Sequence, residues 1–155
     1  MSTLAETAHE SDEMTRTARH RLVTAIRQAA REGMTQSQIA REVHRSQPEV
    51  SRLLRFHGST PLARMLRRAR PDIVRILHAA GGRDVRVFGS VAMGTDGHDS
   101  DMDLLFTMTR PLSLLALGRQ EGEIREIVGV EVDLVPESTL LPHLRERVLD
   151  EAVPL

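Results

Sequence analysis

The chain has 155 residues, with 21 basic and 22 acidic side chains and a formal net charge of -1, enough for one ordinary domain or two small ones. It has no cysteine, which excludes a disulfide framework and thiolate chemistry, and with three Phe and no Tyr or Trp its core must be aliphatic. No apolar run is long enough to span a bilayer, and Met1 to Glu10 lacks the basic start and apolar centre of a signal peptide, so a soluble, cytoplasmic protein is expected.

The near-zero net charge conceals a division. Asp12 to Arg70 carries 13 Arg against 5 acidic residues, whereas Pro71 to Leu155 carries 8 Arg against 15. A basic first half favours polyanions; an acidic second half favours cations or basic partners.

Residues 1–11 are polar and without periodicity, and a disordered tail is expected there. From Asp12, Met14, Ala18, Leu22, Ala25, Ile26 and Ala29 recur at helical spacing up to Gly33. Two short helices follow, each opened by a capping box: Thr35 with Gln38, then Ser46 with Glu49. Ile39, Ala40 and Val43 give the first its apolar face, and Val50, Leu53 and Leu54 the second. A helix-turn-helix unit over residues 12–57 is expected. "MTQSQIAREVHRSQPEVSRLLRF" also resembles the helix-turn-helix of bacterial DNA-binding regulators. The helix from about Gln47 to Phe56 is then the recognition helix. Ser46, Gln47, Glu49, Ser51 and Arg52 are placed to read bases, and Arg45 and Arg55 to meet phosphates.

"FHGSTP" breaks the pattern, and residues 58–60 read as a linker to a second domain over 61–155. There, helices are expected at Leu62–Ala69 and Pro71–Ala80, separated by the proline. Strands are expected at "DVRVFGS", "MDLLF" and "GVEVDLV". A helix is expected from Pro111 to about Val128, burying Leu114, Leu115, Leu117, Ile124, Ile127 and Val128. An amphipathic helix from Leu140 to Val153 closes the chain. The fold class is therefore α/β (α+β): an all-α helix-turn-helix domain followed by a small domain built round a mixed sheet.

Asp101 and Asp103 lie two apart at the start of a strand, where i and i+2 share a face. Asp133 on another strand adds a third carboxylate if the strands are neighbours. Such a group is held together by a hard divalent ion, and oxygen-only ligands suit Mg²⁺. Gly89 and Ser90, in a turn after a strand, offer backbone N–H groups and a hydroxyl to phosphate. Together these parts fit metal-assisted phosphoryl or nucleotidyl transfer. His98 lies in the loop before Asp101 and reads as a solvated loop residue.

"GSVAMGTDGHDSDMD" is similar to the Gly-Ser, ten residues, Asp-x-Asp signature of the polymerase-beta-like nucleotidyltransferase superfamily. Residues 61–155 resemble its minimal nucleotidyltransferases. The resemblance implies ATP as donor and Mg²⁺ as cofactor. Gly89 and Ser90 hold phosphates, Asp101, Asp103 and Asp133 are the catalytic metal ligands, and Asp133 helps deprotonate the acceptor. It also implies an antitoxin that transfers AMP to a HEPN-type RNase toxin encoded nearby, with operator DNA bound by the helix-turn-helix. A homodimer or a toxin-bridged oligomer is the expected assembly. One departure stands out: the family commonly has Arg where this chain has Met93. That favours the alternative of a transcriptional regulator whose nucleotidyltransferase fold only binds nucleotide or a partner. An aminoglycoside-type small-molecule enzyme fits less well, because no substrate domain is evident.

Overall fold

The computed structural model describes residues 3–56 and 58–155. The chain divides into two compact units, residues 1–54 and 55–155.

The first unit is three helices: α1 (Leu4–Arg31), α2 (Gln36–Glu42) and α3 (Gln47–Leu54). Both expected caps of the short pair are present. Thr35 and Gln38 form a reciprocal capping box, and the Glu49 N–H donates to Ser46 Oγ at 3.3 Å. His44, with φ of 52°, takes the left-handed conformation that lets the chain turn between α2 and α3. Ile26, Ile39, Ala40 and Val50 form the small core, flanked by Leu22, Ala29, Val43, Leu53 and Leu54. Arg27 is also buried, and its Nε–H donates to the Leu53 carbonyl at 3.1 Å, tying α1 to the end of α3.

Helix α1 corrects the expected disordered tail: it begins at Leu4, not at residue 12. Thr3 and Glu6 form a capping box that satisfies free N–H groups at its start. Apolar periodicity could not reveal this turn, because residues 4–11 are all exposed. The recognition helix ends at Leu54 rather than Phe56. Arg55 and Phe56 belong to the second unit, where Phe56 packs on the core, so the boundary falls earlier than residue 57. His57 lies outside the described residues.

The second unit holds a four-stranded mixed sheet of order β3-β2-β1-β4, made of β1 (Gly82–Phe88), β2 (Met102–Met108), β3 (Val132–Pro136) and β4 (Val153–Pro154). β1 is antiparallel to β2 and β4, while β2 and β3 are parallel. α4 (Pro61–Ala79) and α6 (Leu114–Val128) pack on each other, and on β1 and β3 respectively. α5 (Gly89–Met93) follows β1 directly, and α7 (Pro142–Glu151) packs against it. Leu66, Ile73, Leu77, Leu104, Phe106 and Ile124 lie at the centre of the core.

Four expectations are corrected here. α4 is one helix running through Pro71, because Leu66, Ala69, Ile73, Ile76 and Leu77 keep one buried face across it. That burial outweighs a proline cost of about 3 kcal/mol. Residues 58–60 lie inside the second unit, and Thr60 caps α4, its Oγ1 accepting the Ala63 N–H at 3.1 Å. α6 starts at Leu114 with Ser113 as its cap, which leaves Leu114 (87% exposed) and Leu115 (77%) off the buried face; Ile127 is also exposed. The last helix stops at Glu151, and Val153–Pro154 pairs with Arg86–Val87 as an edge strand.

Arg27→Met should destabilise the first unit by about 1–3 kcal/mol in urea denaturation, because the Leu53 carbonyl loses its partner. Unchanged stability would show that this arginine does not hold α1 to α3.

Candidate active site

The register of the central strands brings the acidic residues together. Asp103 on β2 faces Phe88 on β1 and stands beside Asp133 on the parallel strand β3. Neighbouring strands lie about 4.8 Å apart, so these carboxylates project from adjacent positions. Asp101, exposed, immediately precedes β2. Apolar neighbours Met102, Leu104, Val132 and Leu134 are buried and fix which side the aspartates take.

Asp103 carries the electrostatic signature of this crowding. Burial, then the charges of Asp133, Asp101 and Glu151, push its carboxyl up from 3.8 to about 6. Glu151, at the end of α7, is a fourth acidic residue that no sequence spacing joined to the motif. Its signal lay only in the return of the chain into β4 beside β1. Among the described residues no three acidic or histidine side chains stand close enough to enclose a cation by themselves. The donor set is nonetheless all oxygen, and a like-charge cluster is relieved by a hard cation whose shell water and substrate oxygens complete. The residues therefore fit Mg²⁺.

Gly89 and Ser90 open α5 right after β1. Gly89 has φ of 70°, and a Cβ there would run into Asp103 Oδ2. Only glycine lets the turn lie directly against the carboxylate. The turn and the aspartates expected from sequence are thus in one place.

Two further residues were missed. β3 is the sheet edge, and the Leu134 N–H beside Asp133 donates to Glu121 Oε1 of α6 at 3.1 Å. Glu121 covers an edge that would otherwise be unpaired, and it steadies the strand carrying Asp133. In the loop before Asp101, Asp96 Oδ1 is buried with no hydrogen-bond partner. His98 is fully exposed and meets only Asp99, as a solvated loop residue does.

Met93 is 3% exposed, so its side chain lies in the interior. Arg86 is no substitute cation for the turn. It pairs with Glu137 at 2.5 Å, and Arg145 joins the same carboxylate at 2.7 Å; the Arg86 hydrogen bond is foremost in holding Glu137 below the usual carboxylate range.

This arrangement coincides with a family match. Residues 67–155 match the nucleotidyltransferase domain model. The chain belongs to the nucleotidyltransferase domain family. It is similar to the protein adenylyltransferase MntA of Thermococcus cleftensis, 37% identical over 73 residues, which are 47% of this chain and 74% of that relative. A Methanocaldococcus jannaschii chain also carrying a protein adenylyltransferase name is 39% identical over 67 residues, 43% of this chain and 72% of that one. A solved structure described as a minimal nucleotidyltransferase is 40% identical with a TM-score of 0.56, covering 64% of this chain and all of that one. The fold is also that of a toxin-antitoxin crystal structure with AMP-PNP, at 21% identity and a TM-score of 0.50 over 54% of this chain and 69% of that one. The nucleotidyltransferase unit is thus an enzyme fold with its acidic motif in place.

The raised Asp103 value has a stability consequence in metal-free protein. Below about pH 4 the carboxyl is protonated in both folded and unfolded chains, and the folded state pays nothing for it. As pH rises through about 6 the folded chain must ionise a crowded group, and stability falls. Asp103→Asn should therefore stabilise the chelator-treated protein at pH 7.5 by about 1–2 kcal/mol, discounted for partial solvation. The gain should vanish near pH 4 in urea titrations; a gain independent of pH would contradict the electrostatic cause.

Proposed function

We propose that the protein transfers AMP from ATP to a HEPN-type toxin encoded beside it, acting as the antitoxin. The observation that carries this reading is the register of Asp103 beside Asp133, with the Gly89–Ser90 turn against Asp103. The adenylyltransferase names of the relatives support AMP as the transferred group.

In this mechanism Gly89 and Ser90 would hold the ATP phosphates, and Asp101, Asp103 and Asp133 would hold Mg²⁺, with water and substrate oxygens completing its shell. Bound there, Mg²⁺ would supply Lewis-acid stabilisation of the charge that develops on phosphate oxygens. The acceptor hydroxyl of the toxin attacks the α-phosphorus, and its proton passes to Asp133. A new O–P bond forms, the α–β phosphoanhydride bond breaks, and pyrophosphate leaves with the bond's electron pair. Incubation with α-labelled ATP, Mg²⁺ and the neighbouring HEPN-type protein should label that protein. Asp101→Ala should lower the rate by about 100-fold or more; an undiminished rate, or no label transfer by the wild type, contradicts the reading.

Met93 supports a second reading, in which the fold binds nucleotide or a partner without turnover. The buried thioether leaves no cation at the position where the family commonly has Arg.

The first unit is proposed to bind operator DNA. Arg45, Ser46, Gln47 and Arg52 are exposed at and beyond the start of α3, whereas Glu49 and Ser51 are half-buried and less able to reach bases. Glu49 also lies 3.9 Å from Arg45. Arg55 follows the helix and suits a phosphate contact. Arg52→Ala should cost about 1–3 kcal/mol of promoter binding and relax specificity, while Arg55→Ala should mainly reduce the salt slope. Promoter binding unaffected by both would overturn the recognition-helix assignment.

A further inference from the structure

The arginine excess of residues 12–70 does not stop at the end of the helix-turn-helix unit. Arg64, Arg67, Arg68 and Arg70 lie in α4, inside the otherwise acidic second unit. Helix α4 carries one acid, Asp72, and Arg75 takes it up at 2.8 Å. Arg64 reaches only a backbone carbonyl, that of Ser59. Among the described residues the guanidinium groups of Arg67, Arg68 and Arg70 meet no acid, and all three residues are exposed.

The arginines are also ordered round the helix. The buried residues of α4, from Leu62 to Leu77, centre on one direction at about 100° per residue. Arg64, Arg67, Arg68 and Arg75 all fall within about 65° of the opposite direction, with Pro71 and His78 among them and no acid. From Arg64 to Arg75 the stripe covers about 17 Å of helix axis. Helix stability does not account for it. Like charges three and four residues apart, as in Arg64–Arg67 and Arg64–Arg68, repel. Arg64 near the start also opposes the helix dipole, and the first turn has no acid to offset it. The stripe points away from the core of its unit, so it serves neither packing nor the aspartate cluster.

We propose that this face of α4 lies along the phosphate backbone of the DNA held by α3, so that the nucleotidyltransferase unit adds to operator affinity. The inference rests on the operator-binding reading of the first unit. Charge complementarity selects the occupant. The centre of a protein interface is apolar and poor in charge, whereas this face surrounds Pro71 with arginine. DNA rewards a row of solvated cations, because each neutralised phosphate releases counterions. Covalent connection supplies the encounter. Six residues, 55–60, separate α3 from α4, a tether of at most about 25 Å. Once α3 is on DNA, the same duplex is presented to α4 at high local concentration. Phosphate contacts read no bases, so the stripe adds affinity without specificity.

The test is binding of the full chain, over a salt series, to a duplex from its own gene's promoter and to an unrelated duplex of equal length. Arg67→Gln/Arg68→Gln should reduce the steepness of log K against log salt by about two. It should weaken both duplexes by the same factor, with helicity retained because both positions are exposed. A wild-type slope in this variant, while Arg52→Ala still relaxes specificity, would overturn the proposal and leave the operator reading standing. Wild-type protein that binds neither duplex at low salt would remove both. A double variant with unchanged DNA binding that no longer binds the neighbouring HEPN-type protein would assign the face to that protein instead.

Discussion

The second unit is organised round a repulsion. Parallel pairing of β2 and β3 places Asp103 and Asp133 at the same level, with Asp101 and Glu151 close enough to add to the field. A sheet gains nothing from like charges at facing positions. The buried aliphatic residues on either side, Met102, Leu104, Val132 and Leu134, hold the register despite them. Folding energy from the core thus maintains a local charge imbalance that a cation and a polyphosphate together would relieve.

The surrounding parts make that imbalance usable. Gly89 lets the turn after β1 lie against Asp103, where any side chain would collide. Glu121 satisfies the outer N–H of the edge strand next to Asp133. The pairing of Val153 with Val87 brings the end of α7, and with it Glu151, toward the same end of the sheet. Arg86 is taken up by Glu137 and not by Asp103 or Asp133.

Much of this was legible in the residues themselves. The Gly-Ser turn and the spaced aspartates are local patterns, and local patterns survive without knowledge of tertiary contacts. The capping residues Thr35 and Ser46 likewise marked helices that the structure contains. What escaped was whatever depended on distant partners. Pro71 reads as a break, yet the buried face on both sides keeps α4 whole. Leu114 and Leu115 read as core by composition, although the cap at Ser113 sets a helical phase that exposes them. Glu121, Glu151 and the two-residue β4 have no local signature, because their roles exist only once the strands are in order.

Burial and the charges of Asp133, Asp101 and Glu151 push the Asp103 carboxyl up to about 6 in the metal-free protein, and binding of Mg²⁺ and nucleotide is expected to displace its proton. Calorimetric titration of Mg²⁺–ATP in buffers of different ionisation enthalpy measures the protons released. Wild type is expected to release more protons at pH 6 than Asp103→Asn, with the excess vanishing at pH 8. Equal proton release by wild type and variant at pH 6 would contradict it.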